Sequence, residues 1–535
     1  MRGGGGNRTR VQGFANPCLK PLGHTTGSGR GYLFPPLDSV PKPREWAQGF
    51  DGRVPGLMGA SVAISAVGAA APSLRISAAS IGTAWGRSGG RSVSAVCAPD
   101  EDALTLAAAA AVDALAHADI DPSSVDGLWW GCCRPPFAEG PSHAVLAAAI
   151  GLASHAGGAL LSGSPHSGIE ALLGAADAVA AGSARTAMVV VSDALVPGLG
   201  SGFESRCGAG AAAVLLSADR GPASISARVT RTHPWLDRYR GDGEATTRDL
   251  YDARLFREEM FLPPVQEIAD HLSALDVRAW SLPDPDGRLG RVVAQHVGAA
   301  IVSSAHIYGA LGDTGAAAAI LGAIGAFDVA GPVAIVATGG GRTTGILVTV
   351  DTPVPGATTV ATMIAADARD ATYSDVLRAR GQLKPAGEQI PMGVPPESAL
   401  FARGADEMLQ LLAGKCADCS TLNTPPSIHP TCIACGGSKL EPVGLARHGM
   451  VHTFVVNQTL PAPFVAPLPI AVIDLDDGAR IMLQVVGDGA DLAIGDEVDL
   501  VLRRYAHERG VPVYGYKARS AQSSDARLTH PGTER

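Results

Sequence analysis

The sequence predicts a layered α/β fold of two βαβ-rich halves, followed by a zinc ribbon and a small β-barrel. Between Gly59 and Val350, apolar strand-like runs alternate with helical segments of roughly ten to fifteen residues, which is typical of α/β layers. A charge-dense excursion over residues 228–265 separates the two halves. Two Cys-x-x-Cys pairs and a series of short strand patterns follow in the last part of the chain.

Local patterns predict the individual elements of the two halves. Alternating or continuous apolar runs predict strands over 61–66, 125–131, 187–192 and 211–217 in the first half, and over 299–304, 333–338 and 344–350 in the second. Helical patterns cover 102–118, 141–152, 167–181, 288–296 and 315–327, the first of them capped by Asp100 or a neighbour. We interpret the charged excursion as a solvated helical segment rather than as part of a site.

Composition excludes several classes of protein. Hydrophobic residues make up 46% of the chain and charged residues 17%, which supports large buried cores. The net charge of -9 and the lack of a basic stripe argue against nucleic-acid binding. No apolar run reaches the roughly 18 residues of a membrane helix. Scattered extra cysteines and the lack of a secretory pattern predict a cytoplasmic protein.

Changes in composition divide the chain into domains. We expect a disordered N-terminal extension (1–57), an α/β domain (58–384), a proline-rich linker (385–397), a helix with a zinc ribbon (398–440), a barrel (441–519) and a tail (520–535). Within the fourth segment, residues 398–412 have the pattern of an amphipathic helix.

Four cysteines predict a structural zinc site. Cys416 and Cys419 form one pair, and Cys432 and Cys435 form the second after twelve intervening residues. Two residues between thiols allow each pair to sit on one tight turn, and two such turns supply a tetrahedral Cys₄ set that suits zinc. A closed Cys₄ site leaves no open coordination position, so the zinc is expected to be structural.

The strand patterns after the ribbon predict an OB-like barrel. They cover 449–456, 470–475, 480–486, 498–504 and 511–516. OB folds often bind nucleic acid, but these strands lack the basic, aromatic face that such binding needs.

The C-terminal residues from about 398 to 517 resemble the zinc-ribbon/OB-fold proteins that partner thiolase-type enzymes. The resemblance rests on the two cysteine pairs, Pro425-Pro426 between them, the segment GMVHTFVVN (449–457) and the strand over 472–475. It implies a module that docks on a thiolase-fold enzyme and helps to bind acyl-CoA.

Residues 58 to about 380 resemble hydroxymethylglutaryl-CoA synthase of the archaeal type, a member of the thiolase superfamily. The segments that carry the resemblance are 72–76, 84–86, 98–102 (APDED), 207–218, 311–318 and 337–341. The resemblance implies a thiolase-like layered αβαβα fold and at least a dimer. It also implies chemistry by a nucleophilic cysteine, an orienting histidine and asparagine, and a proton-transferring glutamate.

All four of those positions differ in this sequence. The resemblance aligns Pro165 with the nucleophilic cysteine and Pro283 with the histidine. Cys133 takes the place of the glutamate, and Asp313 that of the asparagine. Proline suits the first turn of a helix but offers no nucleophile. The sequence therefore predicts that covalent thioester condensation is lost.

Two functional interpretations remain open. In the first, the protein is an enzyme, an acyltransferase or lyase, that makes or cleaves a C–C bond of a CoA thioester without an acyl-enzyme. His166, Cys133 and Asp313 are then the candidate acid–base groups, and the turn Gly339, Gly340 and Gly341 helps to bind an oxyanion. Each of the three also has a purely structural interpretation, as a core histidine, a buried hydrophobe and a loop-capping carboxylate.

In the second interpretation, the protein is a non-catalytic acyl-CoA-binding scaffold that partners a catalytic thiolase. Both interpretations predict acyl-CoA as the ligand. Both also predict a homodimer or a hetero-complex with a thiolase.

Overall fold

The computed structural model describes residues 62–366, 368–383, 403–460, 466–508 and 511–521. The predicted extension (1–57), the linker (385–397) and residues 522–535 of the predicted tail lie outside the described residues. The strands are β1 (Ala63–Ala70), β2 (Leu74–Ser77), β3 (Val93–Val96), β4 (Gly127–Cys132), β5 (Gly157–Ser162), β6 (Thr186–Ala194), β7 (Ala209–Ser217), β8 (Ala223–Thr232), β9 (Ala279–Ser281), β10 (Gly331–Gly339), β11 (Arg342–Val350), β12 (Arg369–Asp370), β13 (Leu412–Cys416), β14 (Leu422–Asn423), β15 (Leu440–Gly444), β16 (His448–Asn457), β17 (Leu468–Leu475), β18 (Arg480–Gln484), β19 (Glu497–Glu508) and β20 (Val511–Ser520). The helices are α1 (Ala78–Ala84), α2 (Ala103–Ala118), α3 (Ser142–Ile150), α4 (Ser167–Ala180), α5 (Ala253–Leu255), α6 (Leu262–Ser273), α7 (Leu289–His296), α8 (Ser304–Leu311), α9 (Ala318–Ile324), α10 (Thr359–Ala365) and α11 (Tyr373–Ala379).

The main sheet consists of two halves with the same strand order. Its full order is β5-β4-β6-β7-β1-β8-β11-β10-β9, and the halves meet where Ala63 and Ile64 of β1 pair with β8. In the first half, β1 pairs antiparallel with β7, β7 pairs antiparallel with β6, and β6 pairs parallel with β4. In the second half, β8 pairs antiparallel with β11, β11 pairs antiparallel with β10, and β10 pairs parallel with β9. The two predicted βαβ-rich halves are therefore confirmed as a structural repeat.

Alternating side chains divide the molecule into five layers. In β6, Val189 and Val191 face a core shared with α4 and α9, whereas Met188 and Val190 face the core of α2 and α3. In β10, the strand Val333–Ala337 divides in the same way between the central helices and the outer helices α6 and α7. Because successive side chains of a strand point to opposite faces, each half is covered on both sides. The predicted αβαβα architecture is confirmed.

The fifth strand of the second half is reduced to a single bridge, so the predicted strand over 299–304 is wrong. Trp280 exchanges two backbone hydrogen bonds with this segment, from its N–H to Ile301 O and from Ser303 N–H to its own carbonyl, both 2.9 Å. The Ser304 hydroxyl then replaces the next backbone hydrogen bonds of the sheet: it accepts from Leu282 N–H and donates to the Leu282 carbonyl, at 2.9 Å each. Helix α8 begins at Ser304, which stops further pairing.

The predicted helix over 398–412 is also largely wrong within the described residues. Asp406–Gln410 forms one wide helical turn, and Leu411 ends it with a left-handed φ of 59°. Strand β13 then begins at Leu412. Leu409 packs in the core that covers α2 and α3, so the turn is fixed by tertiary contacts rather than by helical length.

The C-terminal residues form two small sheets. Strands β14, β13 and β15 form the ribbon that carries the cysteines. The five predicted barrel strands are confirmed in the order β18-β17-β16-β19-β20. A bridge between Val485 and Ala518 joins the first strand of this sheet to the last, so that the OB-like barrel is nearly closed.

The barrel docks on the loop that precedes α2. Arg503 and Glu101 form an ion pair of 3.1 Å, and both residues are buried. Tyr514 donates to Asp102 at 2.8 Å, and Lys517 lies 3.1 Å from Asp100. Asp102 also caps α2 by accepting from two backbone N–H groups, which confirms the expected cap near this position. Hence the APDED segment serves both as a helix cap and as an anchor for the barrel.

Candidate active site

A cavity forms where the two halves meet at the start of α4. Loops after β4, before α7 and after α8 line it, together with the turn between β10 and β11. Pro165, Pro283, Cys133 and Asp313 all reach its wall. Thus the four positions that the sequence aligned with a catalytic set lie around one cavity, although they come from segments far apart in the chain.

Pro165 occupies the cavity wall just before α4. The residue after it, His166, is the N-cap, and α4 begins at Ser167. The turn after β10 packs directly against Pro165, since a Cβ added to Gly339 would lie 2.7 Å from its Cδ. The ring therefore fills the space at the helix start and supplies no group that could form a covalent bond to a thioester.

His166 lies behind the cavity wall rather than in it. Its side chain is 1% exposed, and Nε2 is 2.8 Å from the Thr344 hydroxyl. Burial and then the charge of Arg342 lower the pKa of His166 to about 3, although the Glu170 carboxylate lies only 3.3 Å from Nδ1. Glu170 itself pairs with Arg342, which limits the effect of its charge on the ring. The imidazole is thus neutral and sits among buried polar neighbours.

Cys133 reaches the cavity, but its surroundings keep the thiol protonated. Burial raises the pKa of Cys133 well above the ordinary value, and the nearby Asp193 carboxylate adds to that effect. Asp193 accepts from the backbone N–H groups of Cys133, Arg134 and Ala316 at 2.7–3.2 Å. A protonated thiol is a poor nucleophile.

Asp193 is a positioning residue that the sequence analysis missed. It ties the loop after β4 to the loop after α8, which brings Cys133 and Asp313 to the same cavity. Burial raises the pKa of Asp193 although three N–H donors act in the opposite direction. The predicted strand over 187–192 stopped one residue short of it.

Asp313 is a partly buried carboxylate on the cavity wall. Its Oδ1 accepts from Gly315 N–H at 3.0 Å, and its Oδ2 lies 3.5 Å from Arg238. Burial raises the pKa of Asp313, and the Arg238 charge opposes that rise. Asp313 therefore combines the loop-capping function foreseen for it with a place in the cavity.

The glycine turn is shaped by close packing. Gly339, Gly340 and Gly341 all have positive φ. A Cβ on Gly341 would lie 2.0 Å from the carbonyl of His233, so a larger residue does not fit there. Gly340 N–H already donates to Asp237 at 2.8 Å. Gly339 and Gly341 reach the cavity, and their participation in oxyanion binding stays a prediction.

The charged excursion forms much of the cavity wall, so its interpretation as a solvated segment is wrong for the residues that line the cavity. Arg238 contacts both Asp249 and Asp313, and Asp237 binds the glycine turn. The later charges are exposed, as expected, at Arg254, Arg257, Glu258 and Glu259. Arg238 also lies over the Phe203 ring at 4.0 Å. The excursion also gives the cavity an apolar side made of Trp235, Leu236, Leu250, Phe256, Met260 and Phe261.

Asp284 and Tyr308 also line the cavity, and the sequence analysis assigned them no role. Burial raises the pKa of Asp284 to about 6, and the charges of Asp286 and Asp313 act in the same direction. Burial likewise raises the pKa of Tyr308, so its hydroxyl stays protonated. Asp284 follows Pro283 directly. The sequence comparison concerned only the histidine that is missing at Pro283, and it gave no reason to consider the next residue.

The four ribbon cysteines are arranged to hold a metal ion. Their sulfur atoms all lie within 4.8 Å of one another, with 3.6 Å between Cys416 and Cys435 and 3.5 Å between Cys419 and Cys432. Tetrahedral zinc with Zn–S bonds of about 2.3 Å requires sulfur atoms about 3.8 Å apart. The donor set and spacing therefore fit a tetrahedral thiolate site.

None of the helices in the described ranges is long and apolar enough to cross a membrane.

Comparisons with known proteins match both parts of the chain. The family model described as "ChsH2, C-terminal OB-fold domain" matches residues 443–503. A hydroxymethylglutaryl-CoA synthase of Pyrococcus horikoshii is 37% identical over 156 residues, which are 29% of this chain and 45% of the relative. The matched segment thus spans less than half the length of that relative.

Solved structures support the same fold at lower identity. MvaS in complex with 3-hydroxy-3-methylglutaryl coenzyme A superposes with a TM-score of 0.53 at 18% identity, over 63% of this chain and 94% of that chain. This likeness confirms the thiolase-like fold predicted from the sequence.

A DUF35 domain-containing scaffold protein of Methanothermobacter thermautotrophicus is 34% identical over 121 residues, which are 22% of this chain and 90% of that protein. Since the match spans almost the whole relative, the chain belongs to the DUF35 domain-containing family and joins to it a thiolase-like domain similar to hydroxymethylglutaryl-CoA synthase.

Proposed function

We propose that this protein acts on acyl-CoA thioesters and makes or cleaves a C–C bond without forming an acyl-enzyme. The observation that carries the proposal is Pro165, which stands in the cavity at the start of α4. Similarity to hydroxymethylglutaryl-CoA synthase, and to a solved structure that holds a 3-hydroxyacyl-CoA, supports a CoA thioester as the ligand.

The cavity walls support an acyl group that is large and apolar. The apolar side from Trp235 to Phe261 would contact such a group, and its burial would contribute about 25 cal/mol per Å² of apolar surface. Arg134 and Arg240 also line the cavity and supply positive charge for an anionic part of the ligand. Since no lining cysteine among the described residues is a thiolate, the thioester would stay intact during the reaction.

The chemistry that fits this set is an aldol-type reaction of a 3-hydroxyacyl-CoA, in either direction. A base takes the proton of the 3-hydroxyl, the O–H electron pair forms a C=O bond, and the Cα–Cβ bond breaks. The released electron pair forms the enolate of the thioester, which is then protonated at Cα. The step needs a base and donors for the enolate oxygen, but no covalent intermediate and no oxidant.

Among His166, Cys133 and Asp313, the carboxylate is best placed to serve such a ligand, because it holds Arg238 at the cavity wall. His166 is separated from the cavity, and the Cys133 thiol is a weak acid in its surroundings. Asp313 stands on the wall beside the cationic Arg238. We expect Arg238 and Asp313 to act together, with the cation close to the developing enolate charge.

A panel of short, branched and steroid-like 3-hydroxyacyl-CoA thioesters tests the proposed function. The expected result is release of an aldehyde or ketone together with an equal amount of a shortened acyl-CoA. Asp313→Asn should slow this release by about 100-fold, whereas Asp219→Asn, an exposed ion-pair partner of Arg185, should leave it unchanged. Release of free CoA without a carbonyl product would contradict the proposal.

A second candidate function is that of a non-catalytic acyl-CoA-binding scaffold. It is favoured by the similarity to a protein described as a scaffold, and by the lack of a nucleophilic side chain at Pro165. In this case the protein binds acyl-CoA thioesters without turnover and forms a hetero-complex with a catalytic thiolase. Turnover by the isolated protein would reject this candidate, and size-exclusion chromatography with multi-angle scattering would distinguish a homodimer from a mixed complex.

The metal site is structural, not catalytic, under either proposed function. We propose that Cys416, Cys419, Cys432 and Cys435 hold one zinc ion as thiolates. Zinc bound in this way stabilises the ribbon by closing two turns on one ion. The reduced thiols it requires fit a reducing compartment such as the cytoplasm.

A further inference from the structure

The loop before α7 brings one carboxylate to the cavity that neither the sequence nor the comparisons assign. Asp284 lies between Pro283 and Pro285, and all three residues line the cavity. The two prolines restrict the backbone on either side and thereby limit the positions that the carboxylate can take. Asp286 in turn accepts from the N–H groups of Arg288 and Leu289 at 2.9 Å, just before and at the first residue of α7, which fixes the end of the loop.

The two oxygens of Asp284 have different surroundings. Oδ2 lies on the side of Gly290, in the first turn of α7, where an added Cβ would be 3.2 Å from it. Oδ1 is shielded from solvent and has no hydrogen-bond partner among the described residues. A buried carboxylate oxygen without a donor is unfavourable. Rotation of the carboxylate about its Cβ–Cγ bond, which is a soft torsion, would bring it to a hydroxyl group bound in the cavity and supply the missing donor.

We propose that Asp284 is the proton-transferring carboxylate of the cavity, and that it takes the proton of a ligand hydroxyl and returns it to carbon. The inference rests on the proposed function. In cleavage, the carboxylate takes the 3-hydroxyl proton while C=O forms and Cα–Cβ breaks. The carboxyl group then gives the same proton to Cα of the thioester enolate, so that protons and electrons balance without a further reactant.

The charges around Asp284 suit this role. Asp286 comes from the same loop, Tyr308 from α8 and Asp313 from the loop after α8, and none of these three is a cation. Burial raises the pKa of Asp284 to about 6, so the group can both accept and release a proton near neutral pH. Tyr308 keeps its proton and packs on Gly287 of the same turn, where it can donate to a ligand oxygen.

The test compares Asp284→Asn with Asp219→Asn in the carbonyl-release assay. Asparagine keeps an acceptor in both places, and Asp219 is an exposed ion-pair partner of Arg185 that does not reach the cavity. We expect kcat of Asp284→Asn to fall by about 100-fold or more, and Asp284→Glu to restore part of it. The acidic limb of the pH profile, near pH 6 in the unchanged protein, should disappear in Asp284→Asn. Asp219→Asn should keep both the rate and the limb.

Thermal unfolding of each variant separates a loss of chemistry from a loss of folding. A rate of Asp284→Asn within about threefold of the unchanged protein, with the limb retained, would overturn the assignment. If the unchanged protein turns over no thioester, the proposed function fails, and the carboxyl resonance of Asp284 in ¹³C NMR gives a separate answer. Movement of that resonance on addition of a 3-hydroxyacyl-CoA supports contact with the ligand, and no movement overturns it.

Discussion

The buried pair between Arg503 and Glu101 is expected to hold the C-terminal barrel to the start of α2. The side chains are 9% and 3% exposed, and their closest atoms are 3.1 Å apart. Arg503→Met removes the positive charge and keeps an apolar stem of similar length. The variant therefore leaves a buried carboxylate without its counter-ion at the junction of the two domains.

The expected loss in the free energy of unfolding depends on the hydrogen bonds that Glu101 keeps in the variant. Breaking a buried ion pair by removing one partner costs about 3–5 kcal/mol. Glu101 Oε2 still accepts from Ala98 N–H at 2.9 Å, from Ser73 N–H at 3.0 Å and from the Ser73 hydroxyl at 3.1 Å. We therefore expect the lower end, about 3 kcal/mol, and a recovery of about 1–2 kcal/mol when Glu101→Gln is added.

Hydrogen exchange of β19 and β20 measures this effect directly. All six tryptophans precede residue 281, so tryptophan fluorescence does not report on the barrel. A loss of about 3 kcal/mol corresponds to roughly 150-fold faster exchange of protected barrel amides. Arg480→Met is the matched control, because Arg480 pairs with Asp474 at 2.5 Å on the exposed barrel surface. Equal exchange in Arg503→Met and Arg480→Met would refute the docking role.

Three further results are expected. Cys432→Ser should lower bound zinc from about one per chain to none by mass spectrometry of the native protein, whereas Cys97→Ser should keep it. His166, with a pKa of about 3, stays neutral in the folded protein, so the unfolded chain binds its proton first as pH falls. The free energy of unfolding in urea should therefore fall by about 1.6 kcal/mol between pH 6.5 and 5 because of this group, and His166→Gln should lose that part of the pH dependence. Pro165→Cys should place a thiol at the start of α4 and gain an acyl adduct in the intact-protein mass, while Pro165→Ala should gain none.

The architecture was predictable because its signals are local. The run from Ala187 to Ser192 alternates between two cores, as an apolar strand between helix layers should. Motifs in the sequence also singled out Pro165 and Cys133, and both residues reach the cavity. The predicted strand at 299–304 failed because Ser304 satisfies the backbone with its hydroxyl, which no periodicity shows.

The site was less predictable because a sequence shows which residues are charged but not which ion-pair partner each of them meets in the fold. The excursion is dense in charge, which favours a solvated segment, yet Arg238 pairs with Asp249 and Asp313 inside the protein. Asp284 follows Pro283, the position at which the sequence lacks the expected histidine, and no motif assigns a function to the residue after it. The docking of Arg503 on Glu101 joins residues far apart in the chain, and composition carries no signal for such a pair.

A quenched single turnover with the acyl group labelled tests the central claim most directly. The protein is mixed in excess with a labelled 3-hydroxyacyl-CoA, quenched in acid during the reaction, and separated into protein and small molecules. C–C chemistry without an acyl-enzyme predicts label in a carbonyl compound and a shortened acyl-CoA, with none on the protein. Label on the protein, or label that stays in the unchanged thioester, would contradict it.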